Sequence, residues 1–283
     1  MKVSVVGGAN VDISARSYSE YVPEDKNPGA ISVTFGGVGR NVAHNLRLMG
    51  IEVGFLTAFG SDLLAKPLVE SCIALGMDLS QCRYFPGSTG MYININDNRG
   101  NLKSAVSQMD IVDNVDEEFL TGALDSLNSS SAVFFDTNLK EESIRFLMNN
   151  VTAPLFSDGV SSGKVVKLKN VLNEHPKYPL HTIKVNSLEA GILTDIPVSN
   201  AEDAKKAGQA LLDMGIKNVY ITLGADGVFC MDESSALHVP AMKPQRLNVI
   251  GAGDAFMAGT IYGFAKKLSL RQAALVGTAM SKI

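Results

Sequence analysis

Apolar and polar residues follow two recurring patterns along most of this chain. Short, largely apolar runs such as Val3–Val6 and the segment 132–135 are typical of strands that are buried on both faces. Between such runs, apolar residues recur at spacings of three and four, as at Val42, Leu46 and Met49, which is typical of amphipathic helices. Alternating strands and helices of this kind predict a mainly parallel sheet with helices on both faces.

The same patterns predict individual elements beyond the first strand and the helix that Gly50 ends. Helix 61–76 is predicted to take Ser61 or Asp62 as its N-cap, despite Pro67. Two helices are predicted to end the chain. The remaining predictions are strands over 53–60, 131–139 and 153–161, helices over 140–150 and 200–215, a strand running into a helix over 180–190, and a hairpin over 218–232.

Two segments, 14–35 and 88–109, break this rhythm in the same way. The segment AISVTF alternates like a half-exposed strand. Alternation at Met91, Ile93 and Ile95, followed by a turn at NDNRG, predicts a hairpin with one exposed face. We therefore predict that both segments form one β lid over an αβα domain, which comprises residues 1–13, 36–87 and 110–283.

Composition and charge narrow the class of protein. Of 283 residues, 46% are hydrophobic and 19% charged, with a net charge of −4, which is typical of a globule with a large core and unlike a basic nucleic-acid-binding surface. No apolar run approaches the roughly 20 residues of a membrane span, and no signal peptide is evident. Three cysteines without C-x-x-C spacing indicate neither disulfides nor zinc, so we expect free thiols in the cytoplasm.

Two glycine-rich segments fail as nucleotide-binding motifs. In the segment 158–166, Gly159 and Gly163 are separated by three residues rather than the four of a P-loop, and Val165 replaces the magnesium-binding hydroxyl. The segment after the first strand, VVGGAN, lacks the third glycine of a dinucleotide fingerprint.

Three other polar or glycine-rich segments are candidates for a site. GGANVD places Asn10 and Asp12 at the carboxyl end of the first strand, where open α/β sheets bind ligands. GGVGRN offers backbone amides and Asn41 at a helix start. Taken alone, each of these two segments also fits an ordinary turn.

The segment GAGDAF, residues 251–256, has the strongest chemical rationale. A helix N-terminus carries partial positive charge and free N–H groups, which suit a phosphate, and glycines let that ligand approach the backbone. Asp254 could simply complement the helix dipole. Its functional interpretation is a general base that accepts a hydroxyl proton, while the amides hold the phosphoryl group that the oxygen attacks.

Together, these motifs resemble those of the ribokinase-like (PfkB) family of carbohydrate and nucleoside kinases. The resemblance rests on FGGVGRNVAHNLRLMG, VNSLEA, ITLGADGV and NVIGAGDAFMAG, in the family's order and spacing. It implies a three-layer αβα fold, mainly parallel, with a small β lid. Within the family, VVGGANVDI, AVSQMDI, FFDTNL and HTIKVNSLEAGILT resemble the subgroup that phosphorylates pseudouridine.

The resemblance also implies roles for residues of this chain. Asp254 would be the catalytic base. The anion hole would be formed by Gly251, Ala252 and Gly253. The ribose hydroxyls would be held by Asp12, Gly36, Gly37 and Asn41. ATP would be bound by Asn186, Thr222, Gly224 and Gly227. Glu189 would act on Mg²⁺ through water, although it could instead be a surface helix acid, and LGADG a plain hairpin turn.

The chain departs from the family's pattern in two places. Asn248, Val249 and Ile250 stand where relatives usually have Asp and Thr, which predicts a weakened monovalent-cation site and a lost hydroxyl near the phosphate. Relatives also continue beyond Ile283, so part of an adenine pocket is expected to be missing from this sequence.

The implied activity is ATP- and Mg²⁺-dependent phosphorylation of the 5′-hydroxyl of a ribose-bearing substrate, with pseudouridine as the first candidate. Another sugar or nucleoside kinase, such as a ribokinase, is the alternative within the enzyme class. A sugar- or nucleoside-binding regulator with the same fold is the alternative outside it. Neither nucleic acid nor membrane is an expected partner, and a homodimer through the β lid stays open.

Overall fold

A computed structural model describes residues 1–242 and 251–281. Its strands, numbered along the chain, are β1 Lys2–Val6, β2 Asn10–Ser17, β3 Gly29–Gly36, β4 Glu52–Leu56, β5 Ala58–Phe59, β6 Arg83–Tyr84, β7 Gly90–Asn96, β8 Leu102–Gln108, β9 Ala132–Asp136, β10 Leu155–Asp158, β11 Thr182–Asn186, β12 Asn218–Thr222, β13 Val228–Asp232 and β14 Ala236–Val239. Its α-helices are α1 Val38–Leu48, α2 Ala65–Ala74, α3 Glu117–Asn128, α4 Glu141–Asn150, α5 Ser162–Asn173, α6 Ser187–Thr194, α7 Ala201–Asp213, α8 Ala252–Ala265 and α9 Leu270–Met280.

The main sheet lies between two layers of helices. Its strand order is β14-β13-β12-β11-β10-β9-β1-β4, and the strands from β4 to β12 in this order pair in parallel, while β13 and β14 pair antiparallel. Neighbouring residues of one strand point to opposite faces, so Phe134 belongs to one apolar core and Phe135 to the other. The predicted αβα arrangement is confirmed.

A second sheet is formed by segments that are distant in sequence. Its order is β3-β2-β7-β8, with β2 and β7 parallel and the outer pairs antiparallel. This confirms the small lid sheet. Strands β3 and β8 are exposed along nearly their whole length, whereas the alternation predicted one buried face. The division of the chain into domain and lid at the predicted boundaries stays a prediction.

Three local predictions differ from the structure. Asn10 and Asp12 belong to β2 of the small sheet and do not directly follow β1. Helix α2 begins at Ala65, because the Asp62 carboxylate accepts the N–H groups of Leu64 and Ala65 in a turn before the helix. The predicted strand over 53–60 is two strands, β4 and β5.

Helices α3 and α5, the short strand β6 and the edge strand β14 were not predicted. The signals for α3 were an N-cap, Asp116, whose side chain accepts the Phe119 N–H, and two acids in the first turn. In α5, the apolar residues at 165, 168, 171 and 172 have helical spacing, but a glycine- and serine-rich start obscured it. A membrane span would need a longer and more apolar helix than any among the described residues.

Candidate active site

The candidate site lies at the edge of the main sheet where the parallel strands end. Strands β1, β9, β10 and β11 all finish at this edge, and helices α1, α5, α6 and α8 have residues there. Open α/β sheets bind ligands at the carboxyl ends of their strands. The structure places Asp254 beside Asn41, two residues that the sequence assigned to one site, and adds buried charges that the sequence analysis missed.

Asp254 lies in the first turn of α8. The helix begins after Gly251, whose φ of 78° is in the left-handed region that glycine adopts readily. The Asp254 side chain is buried, and its Oδ2 accepts a hydrogen bond from Asn41 Nδ2 at 2.7 Å. Asn41 is in the first turns of α1, so this bond joins the two helix starts that carry the glycine-rich motifs.

The surroundings of Asp254 favour a carboxyl group that holds a proton more tightly than usual. Burial raises its pKa to about 7, and the nearby Asp158 carboxylate adds to this rise. The Asn41 hydrogen bond and the Lys184 ammonium oppose the rise in pKa. A general base works best with a pKa near the working pH, so this group is suited to accept a hydroxyl proton near neutrality.

The backbone before Asp254 fits an anion. The Ala255 N–H donates to the Gly251 carbonyl, so the N–H groups of Ala252, Gly253 and Asp254 precede the first hydrogen bond inside the helix. The helix dipole places partial positive charge at the same point. The role of residues 251–253 as an anion hole stays a prediction.

A buried ion pair beside α8 was missed by the sequence analysis. Lys184 Nζ lies 2.5 Å from Asp158 Oδ2, and both side chains are more than nine-tenths buried. Burial lowers the pKa of Lys184, but the carboxylates of Asp158, Asp254 and Glu189 raise it, and the net direction is upward. The available signal was a lysine inside an otherwise apolar strand, TIKV, just before the VNSLEA motif.

Asp136, at the end of β9, was also missed. Its buried carboxylate accepts hydrogen bonds from the N–H groups of Gly8, Gly39 and Asn138, each at 2.8 Å. Gly8 belongs to the turn after β1 and Gly39 to the start of α1, so one side chain holds both glycine-rich loops. The loops also approach closely at Gly37, where φ is 98° and a Cβ atom would overlap the Gly8 carbonyl oxygen.

Asp12 lies beside the first glycine of GGVGRN. A Cβ atom on Gly36 would overlap Asp12 Oδ2, so this carboxylate occupies the space that a side chain would take. Burial raises the pKa of Asp12, whereas a hydrogen bond from Asn10 Nδ2 and the Arg40 guanidinium lower it. The structure thus places Asp12, Gly36 and Gly37 near one another, and their contact with a substrate stays a prediction.

The NSLE segment forms a capping box at the start of α6. Asn186 Oδ1 accepts the Glu189 N–H, and Glu189 Oε2 accepts the Asn186 N–H, both at 2.9 Å. The Glu189 side chain is buried, so the alternative of a surface helix acid is wrong. Burial raises the pKa of Glu189, and the Asp158 charge adds to this effect.

The proposed ATP residues Thr222, Gly224 and Gly227 lie at the end of β12 and in the turn to β13. The Thr222 carbonyl accepts a hydrogen bond from Ser187 Oγ, at the start of α6, at 3.4 Å. The turn joins two antiparallel strands, so LGADG does form a hairpin turn. Roles in ATP binding stay predictions, and the predictions for Asn248, Val249 and Ile250 lie outside the described residues.

Comparison with known proteins identifies the family. Residues 1–283 match the family model for the pfkB family of carbohydrate kinases. The chain belongs to this family. Pseudouridine kinase of Escherichia coli (strain K12) is 35% identical over 261 residues, which cover 91% of this chain and 82% of that protein. The present protein is therefore a pfkB family kinase, which transfers a phosphoryl group to an alcohol acceptor.

Solved structures of two other kinases have the same fold. A carbohydrate kinase from Agrobacterium tumefaciens superposes with a TM-score of 0.83 at 26% identity, covering 99% of this chain and 89% of that one. Arabidopsis thaliana ribokinase complexed with ribose and ATP gives a TM-score of 0.83 at 18% identity, covering 99% and 91%. These likenesses confirm the ribokinase-like fold with its mostly parallel sheet and small lid sheet.

Proposed function

We propose that this kinase transfers the γ-phosphoryl group of ATP to the 5′-hydroxyl of a ribose-bearing substrate, with pseudouridine as the preferred acceptor. The observation that carries the proposal is the buried Asp254, held by Asn41 at the N-terminus of α8 with its pKa raised to about 7. The 35% identity with a pseudouridine kinase supports the choice of acceptor.

The proposed reaction needs a proton acceptor and a place for negative charge. Asp254 accepts the proton of the 5′-hydroxyl as the oxygen forms a bond to the γ-phosphorus. The bond between that phosphorus and the bridging oxygen breaks, and ADP leaves with the electron pair. The N–H groups at the start of α8 stabilise charge on the phosphoryl oxygens.

Magnesium fits this site as a companion of the nucleotide. Kinases of this family generally use ATP and Mg²⁺, and Mg²⁺ prefers oxygen ligands while keeping several waters. Among the described residues, no group of three or more His, Cys, Asp or Glu side chains is arranged to hold a metal directly. Glu189 supplies a buried carboxylate that would reach the ion through water, and the bound ion would neutralise phosphate charge.

The small sheet offers polar groups for substrate recognition on one face. Residues two apart in a strand share a face, and the strand register pairs Asp12 with Tyr92 and Ser14 with Asn94. Asn94 Nδ2 donates to Ser14 Oγ at 2.8 Å, which fixes this part of the face. A nucleoside base can bind to uncharged donors and acceptors of this kind, and we propose that the base of the acceptor contacts this face.

The opposite face of the small sheet is apolar and supports a homodimer through the lid. Val33, Ile13, Ile93 and Val106 form a row across all four strands. Val33 is 58% and Val106 66% exposed. Exposed apolar patches mark interaction surfaces, and a second copy of the sheet would cover this one.

A cytoplasmic location likewise stays a prediction. The monovalent-cation response depends on residues that the structure does not describe.

The alternative acceptors are other sugars or nucleosides, and one substrate panel separates them. ADP release would be measured with pseudouridine, uridine, inosine and ribose, each with Mg²⁺ and ATP, and Asp254→Asn would serve as the background control. We expect kcat/KM to be highest for pseudouridine. If free ribose is best, the pseudouridine assignment is wrong and the kinase assignment stands.

A further inference from the structure

Lys184 is a buried cation whose ammonium lies against the N-terminal turn of α8. A Cβ atom added to Gly253 would lie 2.7 Å from Lys184 Nζ. Gly253 is the residue immediately before Asp254, in the turn whose N–H groups have no partner inside the helix. Position 253 therefore leaves room for the ammonium, and the ammonium borders the predicted anion hole.

Burying a charged lysine in this position destabilises the folded protein unless nearby charges compensate for the lost hydration. Asp158 provides one such charge through the ion pair at 2.5 Å. Within the described residues Asp158 Oδ2 has no other hydrogen-bond partner, so this carboxylate oxygen depends on the lysine. A lysine has three N–H donors, and one ion pair leaves donors for a further acceptor.

The charges around Lys184 determine what an anionic ligand at this turn would meet. The carboxylates of Asp158, Glu189 and Asp254 all act on the ammonium. The same carboxylates would repel a phosphoryl group, which carries negative charge itself. Besides the proposed Mg²⁺, the turn of α8 itself offers only its N–H dipoles to this group unless a side-chain cation lies beside it.

We propose that Lys184 is the cation of the anion hole, and that its ammonium binds the transferred phosphoryl group while Asp158 holds the lysine in place. This role rests on the proposed function, since it presupposes phosphoryl transfer at the start of α8. The competing explanation is purely structural, with Lys184 present only to neutralise buried Asp158.

A double-mutant cycle distinguishes the two explanations. Lys184→Met, Asp158→Asn and the double variant would be compared with the parent for turnover and for melting temperature. The double variant contains no buried charge from this pair, so it keeps the test possible if Lys184→Met alone does not fold. Lys169→Met with Asp195→Asn, which removes an exposed ion pair of 2.7 Å, is the matched control.

If Lys184 binds the phosphoryl group, its loss lowers kcat by about 10²–10³, as is usual for one stabilising donor. Loss of the lysine would also lower kcat in the Asp158→Asn background, although by less than in the parent, because the lysine acts on the substrate and Asp158 only positions it. If the lysine only neutralises Asp158, the Asp158→Asn variant and the double variant would turn over equally, and the proposal would be wrong.

Nucleotide affinity gives a second readout that does not depend on the acceptor. The parent is expected to bind Mg²⁺-ATP more tightly than Mg²⁺-ADP by calorimetry, and Lys184→Met to lose most of this difference. An unchanged difference would overturn the assignment of Lys184. A parent that shows the difference but phosphorylates none of the four acceptors would contradict the proposed function alone.

Discussion

Asn41 and Asp254 are 213 positions apart in the chain, yet their side chains share a hydrogen bond of 2.7 Å. The bond joins the first turns of α1 and α8, which follow the two glycine-rich motifs. The group proposed to hold the ribose and the group proposed to take its proton are thus assembled as one unit. A shift of either helix would change both binding and proton transfer.

Replacement of Asp254 by Asn is expected to lower kcat by about 10²–10⁴, the usual contribution of a general base. Asparagine has nearly the same shape and keeps an oxygen that can accept from Asn41, but it does not take up a proton. Turnover and substrate affinity would be measured separately. Asp195→Asn, the same change at an exposed position, is the control, and parental turnover in Asp254→Asn would show that Asp254 is not the base.

The pH dependence of activity follows from the raised pKa of Asp254. The base acts only when it has lost its proton, so kcat/KM should rise with pH through about 7. The Asn41 hydrogen bond lowers the pKa of this group, so Asn41→Ala should move the rise in activity to higher pH. A pH-activity profile of both proteins measures the two midpoints. An unchanged midpoint in the variant would contradict the coupling.

How much of this site was visible in the sequence depends on the kind of residue. Asp254, Asn41 and Glu189 stand in motifs whose glycines or caps mark helix starts, and such local signals can be recognised directly. Lys184 stands inside a largely apolar strand, and Asp136 stands at the end of another. Their significance comes from contacts with loops that are distant in the sequence, as when Asp136 accepts the Gly39 N–H. Strand periodicity does not reveal such contacts.

As pH rises, the contribution of Asp254 to stability should fall, whereas its contribution to activity should rise. The pKa of this group is raised from 3.8 to about 7 on folding, so the folded protein keeps a proton that the unfolded chain loses. The free energy of unfolding should therefore fall as pH rises from about 4 to about 7. Each unit of pKa corresponds to about 1.4 kcal/mol, which sets an upper limit of about 4 kcal/mol.

Asp254→Asn removes the buried negative charge that destabilises the folded protein at high pH. The variant should therefore melt at a higher temperature than the parent at pH 8. At pH 4 both side chains are largely uncharged, so the two melting temperatures should converge. Melting curves at both values of pH test this expectation. A difference that is equal at both would assign the effect to packing rather than to the buried charge.

Asp136→Asn should loosen both glycine-rich loops. An amide presents an NH₂ group where the carboxylate had an oxygen, so at least one of the three backbone N–H groups loses its acceptor. A buried donor without a partner costs about 1–3 kcal/mol, which corresponds to a few degrees in melting temperature. Because Gly39 is in the first turn of α1, KM for the acceptor should rise. Stability lost with an unchanged KM would limit Asp136 to a structural role.

Discrimination at the ribose 2′-hydroxyl should depend on Asp12. This carboxylate lies beside Gly36 and is held by Asn10, so its position is fixed before a substrate arrives. A site built to bind a hydroxyl leaves its own polar groups unpaired when the hydroxyl is missing, and such sites reject the deoxy analogue by roughly 10⁴. We therefore expect 2′-deoxy acceptors to be poor substrates, and Asp12→Ala to narrow the ratio of kcat/KM between ribose and deoxyribose forms. Ser104→Ala, in the exposed strand β8, should leave this ratio unchanged. If the parent used both forms equally, Asp12 would not read this hydroxyl, and the acceptor would have to be recognised elsewhere.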